Sequence, residues 1–276
     1  MDRAVSVQGL VIVDPPRSGE SNMAIDEAML QNATPAWPVV LRVYRWDRPT
    51  LSIGHFQRIE DRDDLPDLSD LPWVRRKTGG GAIVHDQELT YSILIPNRAN
   101  FSVKGHNEEL YRAVHLSFVE ELQRQGWNAR LAESCLCEAT REKIPGHFLC
   151  FSRRSPVDLV IDNDKILGSA QRRSATGLLQ HGSFLLRRSQ STPKLSGLLD
   201  APGGFTPNLQ KKMREKIMDD ASLWEADSSS RELDHWIECF VATLKAGVSR
   251  LLRIEWRNGS IRDLPRMGNS STPPNG

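Results

Sequence analysis

Residues 10–14, LVIVD, form an apolar run that stops at Pro15-Pro16 and predict a short strand. The next segment, SGESNMAIDEAMLQNA, predicts a helix with Ser21 or Asn22 as its cap and with Asp26 and Glu27 near its positive end. VVLRVYRW (39–46) alternates apolar and polar positions and predicts a strand. TLSIGHFQ (50–57) predicts another, with Gly54 near its end. DRDDLPDLSDLP (61–72) is an acidic linker. AIVHDQELTYSILIP (82–96) contains two strand-like pieces around a polar turn at residues 85–88. Residues 107–126 carry apolar side chains at helical spacing and end on Gly126.

From residue 156 to 186 the period returns to two. VDLVID, KILGSAQRR and LLQHGSFLL predict a three-strand antiparallel meander, turning at Asn163-Asp164 and at SATG. Two helices are predicted over 207–225 and 231–249, then a late strand, LLRIEW (251–256). MGNSSTPPNG has the composition of a disordered tail. Mixed α and β elements with antiparallel hairpins predict an α/β (α+β) fold on one main sheet. We expect a single domain over residues 1–262 and a tail over 263–276.

Charge narrows the partners. The 276 residues include 36 basic and 35 acidic side chains, a net charge of +1, which argues against wholesale nucleic-acid or membrane binding. No apolar run approaches the ~20 residues that span a bilayer. The charged start with its short apolar run gives no expectation of a signal peptide, so a cytoplasmic protein is expected. The four cysteines, Cys135, Cys137, Cys150 and Cys239, are expected as free thiols. Cys135 and Cys137 form a C-x-C without a second pair, so no metal site is expected.

The densest candidate chemistry lies in RRKTGGGAIVHD (75–86). Backbone at Gly79, Gly80 and Gly81 can approach a ligand without interference from a Cβ, and its N–H groups can face a carbonyl or phosphate. The spacing matches neither a Walker loop nor a dinucleotide fingerprint. An ordinary glycine-rich hairpin fits the three glycines equally well. Arg75, Arg76 and Lys77 just upstream favour an anion or a polarised carbonyl, although basic clusters are more often solvated faces. His85 fits a turn or a pocket wall, and His181, beside Gly182, fits a pocket lining or a packed core. Cys150 is by type a small buried hydrophobe or a nucleophile. Lys165, 15 positions on and across an expected hairpin, would favour its thiolate.

Four segments taken together, NMAIDEAML, LRVYRWDRPTLSIGHFQ, RRKTGGGAIVHDQELTYSILIP and DKILGSAQRRSATGLLQHGSFLL, resemble the signatures of the lipoate–protein ligase and octanoyltransferase superfamily, in the right order. The resemblance covers roughly residues 20–190 and implies the catalytic-domain fold of biotin and lipoate protein ligases, related to class II tRNA synthetases. HDQELTYS, the chain length and a CF just before DLV resemble the cysteine-type octanoyltransferase branch. That branch implies transfer of an octanoyl group from octanoyl-acyl carrier protein to a lysine of a lipoyl-domain protein. The acceptor would be the glycine cleavage H protein or a 2-oxoacid dehydrogenase E2. The resemblance makes Cys150 the nucleophile and Lys165 the thiolate-supporting lysine. It makes Arg76, Gly79, Gly80, Gly81, His85, Gly168, Ser169, Ala170 and His181 the substrate-binding set. No cofactor is implied, and a monomer is expected. The branch often has Arg where this chain has Gly81, a position closer here to the ligase pattern. An ATP-dependent lipoate–protein ligase and an amidotransferase between lipoyl-domain proteins are therefore the alternatives. The pairs Arg153-Arg154, Arg172-Arg173 and Arg187-Arg188 are the expected patch for an acidic carrier.

Overall fold

The structure is a computed structural model, and residues 7–63, 65–97, 107–132, 148–200 and 228–265 are described. Eleven strands and three helices follow in order among them. They are β1 (Val7–Val13), α1 (Gly19–Asn32), β2 (Val39–Tyr44), β3 (Thr50–Ile53), β4 (Trp73–Arg75), β5 (Ile83–His85), β6 (Glu88–Pro96), α2 (Asn107–Arg124), β7 (Ala129–Leu131), β8 (Leu159–Ile161), β9 (Asp164–Arg173), β10 (Gly177–Leu185), α3 (Ser228–Ser249) and β11 (Ile254–Gly259). Eight strands form one sheet in the order β11-β1-β2-β6-β10-β9-β8-β7. Its β11–β1–β2 end is parallel and the remaining pairs are antiparallel. A second, three-stranded sheet runs β4-β3-β5.

The strand period of two sorts the large sheet's residues to opposite faces. Val11, Leu41, Val43, Tyr91, Ile93 and Phe184 face α2 and α3 and pack with Phe118, Trp236 and Phe240. Leu10, Ile12, Val40, Leu94 and Leu179 face the other way, against Met29 and Leu30 of α1. The central strands β2, β6 and β10 are buried along their whole length, their polar residues Arg42, Ser92, Gln180 and His181 included. Each fully buried Leu, Ile, Val or Phe there contributes about 1.5–3 kcal/mol. Among the described residues no helix is long and apolar enough to cross a membrane.

Several expectations are corrected. Ser18, not Ser21 or Asn22, caps α1, and its side chain accepts from the Ser21 N–H. Asp26 is buried instead of serving the helix end, and Glu27 pairs with Lys77 at 3.0 Å. The strand expected over 50–57 ends at Ile53, because Gly54 opens a turn held by Gln57. The late strand begins at Ile254 and not at 251. The β8–β9 turn is Asp162-Asn163, with φ +52° at Asp162, one residue earlier than the expected Asn163-Asp164. β4 and β7, three residues each, were not expected at all. The helix expected over 207–225, Cys135, Cys137 and most of the tail lie outside the described residues.

Candidate active site

Cys150 opens a single 3-10 turn, Cys150–Ser152, upstream of β8 and not within the hairpin. The turn is fastened to β5. The Ala82 N–H donates to the Phe148 carbonyl at 2.8 Å, and the Cys150 N–H donates to the Ala82 carbonyl at 2.7 Å. Gly81 makes this approach possible, because a Cβ at that position would lie 2.9 Å from both Cα and N of Cys150. Backbone atoms do not yield cheaply, so the third glycine of the triplet is a steric requirement of the cysteine's position. The triplet is the loop between β4 and β5. Gly80 has φ +89°, a conformation that favours glycine. A Cβ on Gly79 would meet nothing within 4 Å.

Arg76 holds that loop from inside. It is 2% exposed, and its guanidinium donates to the carbonyls of Ser52 (2.8 Å), Gly79 (3.1 Å) and Gly81 (2.8 Å) and to Ser52 Oγ (2.7 Å). Burial lowers its pKa to about 10, with the nearby Cys150 acting in the opposite sense, so it stays cationic at neutral pH. Its Nε has no hydrogen-bond partner. Behind it runs a directional chain. Ser52 Oγ meets His85 Nε2 at 2.6 Å, and His85 Nδ1 meets Glu88 Oε1 at 2.7 Å. Arg76 donates to Ser52 and Glu88 accepts from His85, so the neutral Nδ1–H tautomer completes the chain. Burial lowers the His85 pKa, which keeps that tautomer. Trp46 stacks on His85, with centroids 3.9 Å apart.

Lys165 comes from β9, opposite Val160 of β8. Its Nζ lies 3.6 Å from Cys150 Sγ and 2.8 Å from Asp158 Oδ2. Gly168 clears the path of the lysine stem, because a Cβ there would lie 2.5 Å from Lys165 Cε. Ser169 donates to His115 Nε2 and accepts from the Tyr91 hydroxyl, both at 2.7 Å. That assignment follows because His115 Nδ1 gives its proton to the Val157 carbonyl at 2.5 Å. Burial lowers the His115 pKa to about 4. His181 meets Thr78 Oγ1 at 2.6 Å and stands 3.9 Å from Asp26. Asp26 accepts from Arg42 (3.0 Å), Tyr44 (2.9 Å) and Ser92 (2.9 Å). Burial opposes ionisation of Asp26, but its His181 and Arg42 neighbours outweigh burial and keep the carboxyl below its ordinary value.

Some of these groups line one pocket. Met23, Tyr44, Trp46, Ile83 and Thr90 join Arg76, Gly80, His85, Cys150, Gly168, Ser169, Ala170 and His181 in its wall. Of the expected site residues, Gly79, Gly81 and Lys165 are not in the wall; the two glycines serve as acceptors for Arg76, and Lys165 lies between Cys150 and Asp158. Residues that sequence reasoning missed are Asp158, Ser52, Glu88, Trp46, His115 and Tyr91. Asp158 stood in the quoted DLV and Glu88 in HDQELTYS, so the letters were visible although the partners were not. The six arginines of the expected patch are exposed. Arg187 is committed to Glu232 at 2.9 Å.

Cys150 and the buried Arg76 line this pocket, and Lys165 lies beside the sulfur. The family model for the lipoyl protein ligase A/B catalytic domain matches residues 18–216. The chain belongs to this family. Octanoyltransferase LipM of Brevibacillus brevis is 34% identical over 243 residues, covering 86% of each chain. Octanoyltransferase LipM of Clostridioides difficile is 32% identical over 268 residues, covering 93% of this chain and 91% of the relative. The fold is similar to a crystal structure of lipoate-protein ligase A bound with ATP, with TM-score 0.54, 22% identity, and 93% and 89% of the two chains covered. It is also similar to the bi-partite lipoate protein ligase of Thermoplasma acidophilum, described with its E2 lipoyl domain (TM-score 0.54, 21% identity, 93% and 87% covered). The fold class expected from the sequence is therefore the observed one. The protein is an enzyme of this family, and its similar relatives are acyltransferases.

Proposed function

We propose that the protein transfers an octanoyl group from octanoyl-acyl carrier protein to a lysine of a lipoyl-domain protein, through a thioester on Cys150. The observation that carries this reading is the approach of Lys165 Nζ to 3.6 Å from Sγ of Cys150, a residue of the pocket wall. In the first half-reaction Cys150 Sγ attacks the carrier thioester carbonyl. The new S–C bond replaces the carrier's, and the thiol proton ends on the carrier sulfur. In the second, the acceptor amine attacks the Cys150 thioester. A C–N bond forms, the S–C bond breaks, and one amine proton ends on Cys150. Lys165, within reach of the sulfur, stabilises the thiolate in both steps and moves the proton. Arg76 fixes the loop that abuts Cys150 and keeps a positive charge near the carbonyl oxygen as it becomes an oxyanion. A thioester donor carries its own activation, so no nucleotide enters.

The pocket is narrow, about 20 Å³. That is little more than the ~10–15 Å³ that admits one water, so an eight-carbon chain enters by displacing wall side chains. Met23, half-buried and unbranched, is the wall residue with the most rotamer freedom to yield. The test is transfer from octanoyl carrier protein to a lipoyl domain without ATP or magnesium. Turnover in the parent and its loss in Cys150→Ser is the expected result. Transfer from free acid only with ATP, equally fast in Cys150→Ala, would contradict the reading.

A further inference from the structure

We infer that Asp158 is a positioning residue: it holds Lys165 beside Cys150 and cancels the lysine's charge, so that a cationic acceptor lysine can enter the acylated site. The inference rests on the reading of Cys150 as the acyl carrier. The two side chains are each 5% exposed and 2.8 Å apart. The other contacts of Lys165 Nζ are longer: the Cys150 carbonyl at 3.4 Å, the Arg153 carbonyl at 3.5 Å and Cys150 Sγ at 3.6 Å. Asp158 is therefore the lysine's strong partner, and the sulfur takes a weaker share of its charge. The carboxylate is itself fixed from behind. Its Oδ2 accepts the Ser155 N–H at 2.6 Å, and the carbonyl of the preceding Val157 is held by His115 of α2.

The charge balance follows from the remaining neighbours. Arg76, on the β4–β5 loop, is cationic. From α2, His115 is kept neutral by burial, and burial likewise raises the Tyr111 phenol and keeps it protonated. Among the described residues, the buried charges around the acylated Cys150 are Arg76, Lys165 and Asp158. An uncompensated buried ammonium is costly, and the acceptor lysine approaches as a second one, giving one proton to solvent water before its neutral amine attacks. Asp158 reduces the positive charge that the acceptor meets. In the free enzyme the same carboxylate competes with the thiolate for Lys165.

Removing its charge therefore has opposite effects on the two halves of the reaction. In Asp158→Asn, Lys165 turns fully to the sulfur, and alkylation of Cys150 by iodoacetamide moves to lower pH by about one unit, about tenfold faster at a pH on the rising limb. Acylation by octanoyl carrier protein is retained, whereas single-turnover transfer from the acylated enzyme to a lipoyl domain falls at least about tenfold. Asp158→Glu keeps the charge and is expected to hold the parent alkylation profile and to transfer within about threefold of it. An unchanged alkylation profile in Asp158→Asn, or equal slowing of both half-reactions, would overturn the inference. So would loss of transfer in folded Asp158→Glu, which decides the matter if the Asn variant does not fold. Failure of both variants to fold would make Asp158 purely structural and overturn it as well. Alkylation needs no acyl donor, so a parent enzyme that accepts no octanoyl group would fail the functional reading while this arm still decides on Asp158.

Discussion

The Cβ that Gly168 lacks would lie 2.5 Å from Cε and 2.8 Å from Nζ of Lys165. The lysine reaches Cys150 through the space that this glycine leaves open. Gly168→Ala displaces the flexible end of Lys165 without breaking the strand. We predict a stability loss of only about 1–3 kcal/mol, with alkylation and acylation of Cys150 slowed together by about tenfold or more. Iodoacetamide kinetics beside a denaturation curve would check this. A Gly168→Ala variant that alkylates and turns over like the parent would show that the lysine's path is not constrained.

Arg76 is expected to be a stability residue as much as a functional one. Arg76→Met leaves the carbonyls of Ser52, Gly79 and Gly81 without their donor. Each such group costs about 1–3 kcal/mol when buried, and a total loss of about 3 kcal/mol or more is predicted from urea denaturation. Lys in its place has no planar fork to reach both Ser52 and the 79–81 loop, so Arg76→Lys should recover little. A loss below about 1 kcal/mol would contradict this account of the loop.

Much of this architecture was legible in the sequence. The strands β2, β6, β9 and β10 carry long apolar or alternating runs, and the motif segments pointed to the family. β4 and β7 are three residues long and stand in no longer apolar or alternating run, whereas the equally short β5 and β8 do. The polar residues of α1 misled for a different reason. Asn22 and Asp26, four apart, face inward and bind the buried Arg42, so the helix buries charge where a surface cap was expected. The basic run Arg75-Arg76-Lys77 looked uniform but has three fates. Arg75 binds the 54–57 turn, Lys77 pairs with Glu27, and Arg76 enters the core. Gly81 stood out in the sequence as a departure from the branch. Its physical role, abutting the Cys150 backbone, depends on two segments some 70 residues apart and has no local signal.

Acid should weaken the fold through its buried histidines. His115 has a pKa of about 4, and burial lowers His85 and His181 as well. Between about 4 and the unfolded value of about 6.5, the unfolded chain binds more protons than the folded one. Stability is therefore full above about pH 6.5 and falls as pH drops toward 4, by about 1.4 kcal/mol per unit from His115 alone. Urea denaturation at pH 7 and pH 5 should differ by about 2 kcal/mol on that account. His115→Gln should flatten the dependence. An equal slope in the variant would remove His115 as its source.

The central claim is that the acyl group passes through Cys150, and the most direct measurement is the mass of the enzyme after mixing with octanoyl carrier protein in the absence of ATP, followed by peptide mapping. One octanoyl adduct is predicted, on the peptide containing Cys150, labile to hydroxylamine, absent in Cys150→Ala and discharged by addition of a lipoyl domain. No adduct under conditions that support turnover, or an adduct on Cys135, Cys137 or Cys239 that persists in Cys150→Ala, would contradict the account.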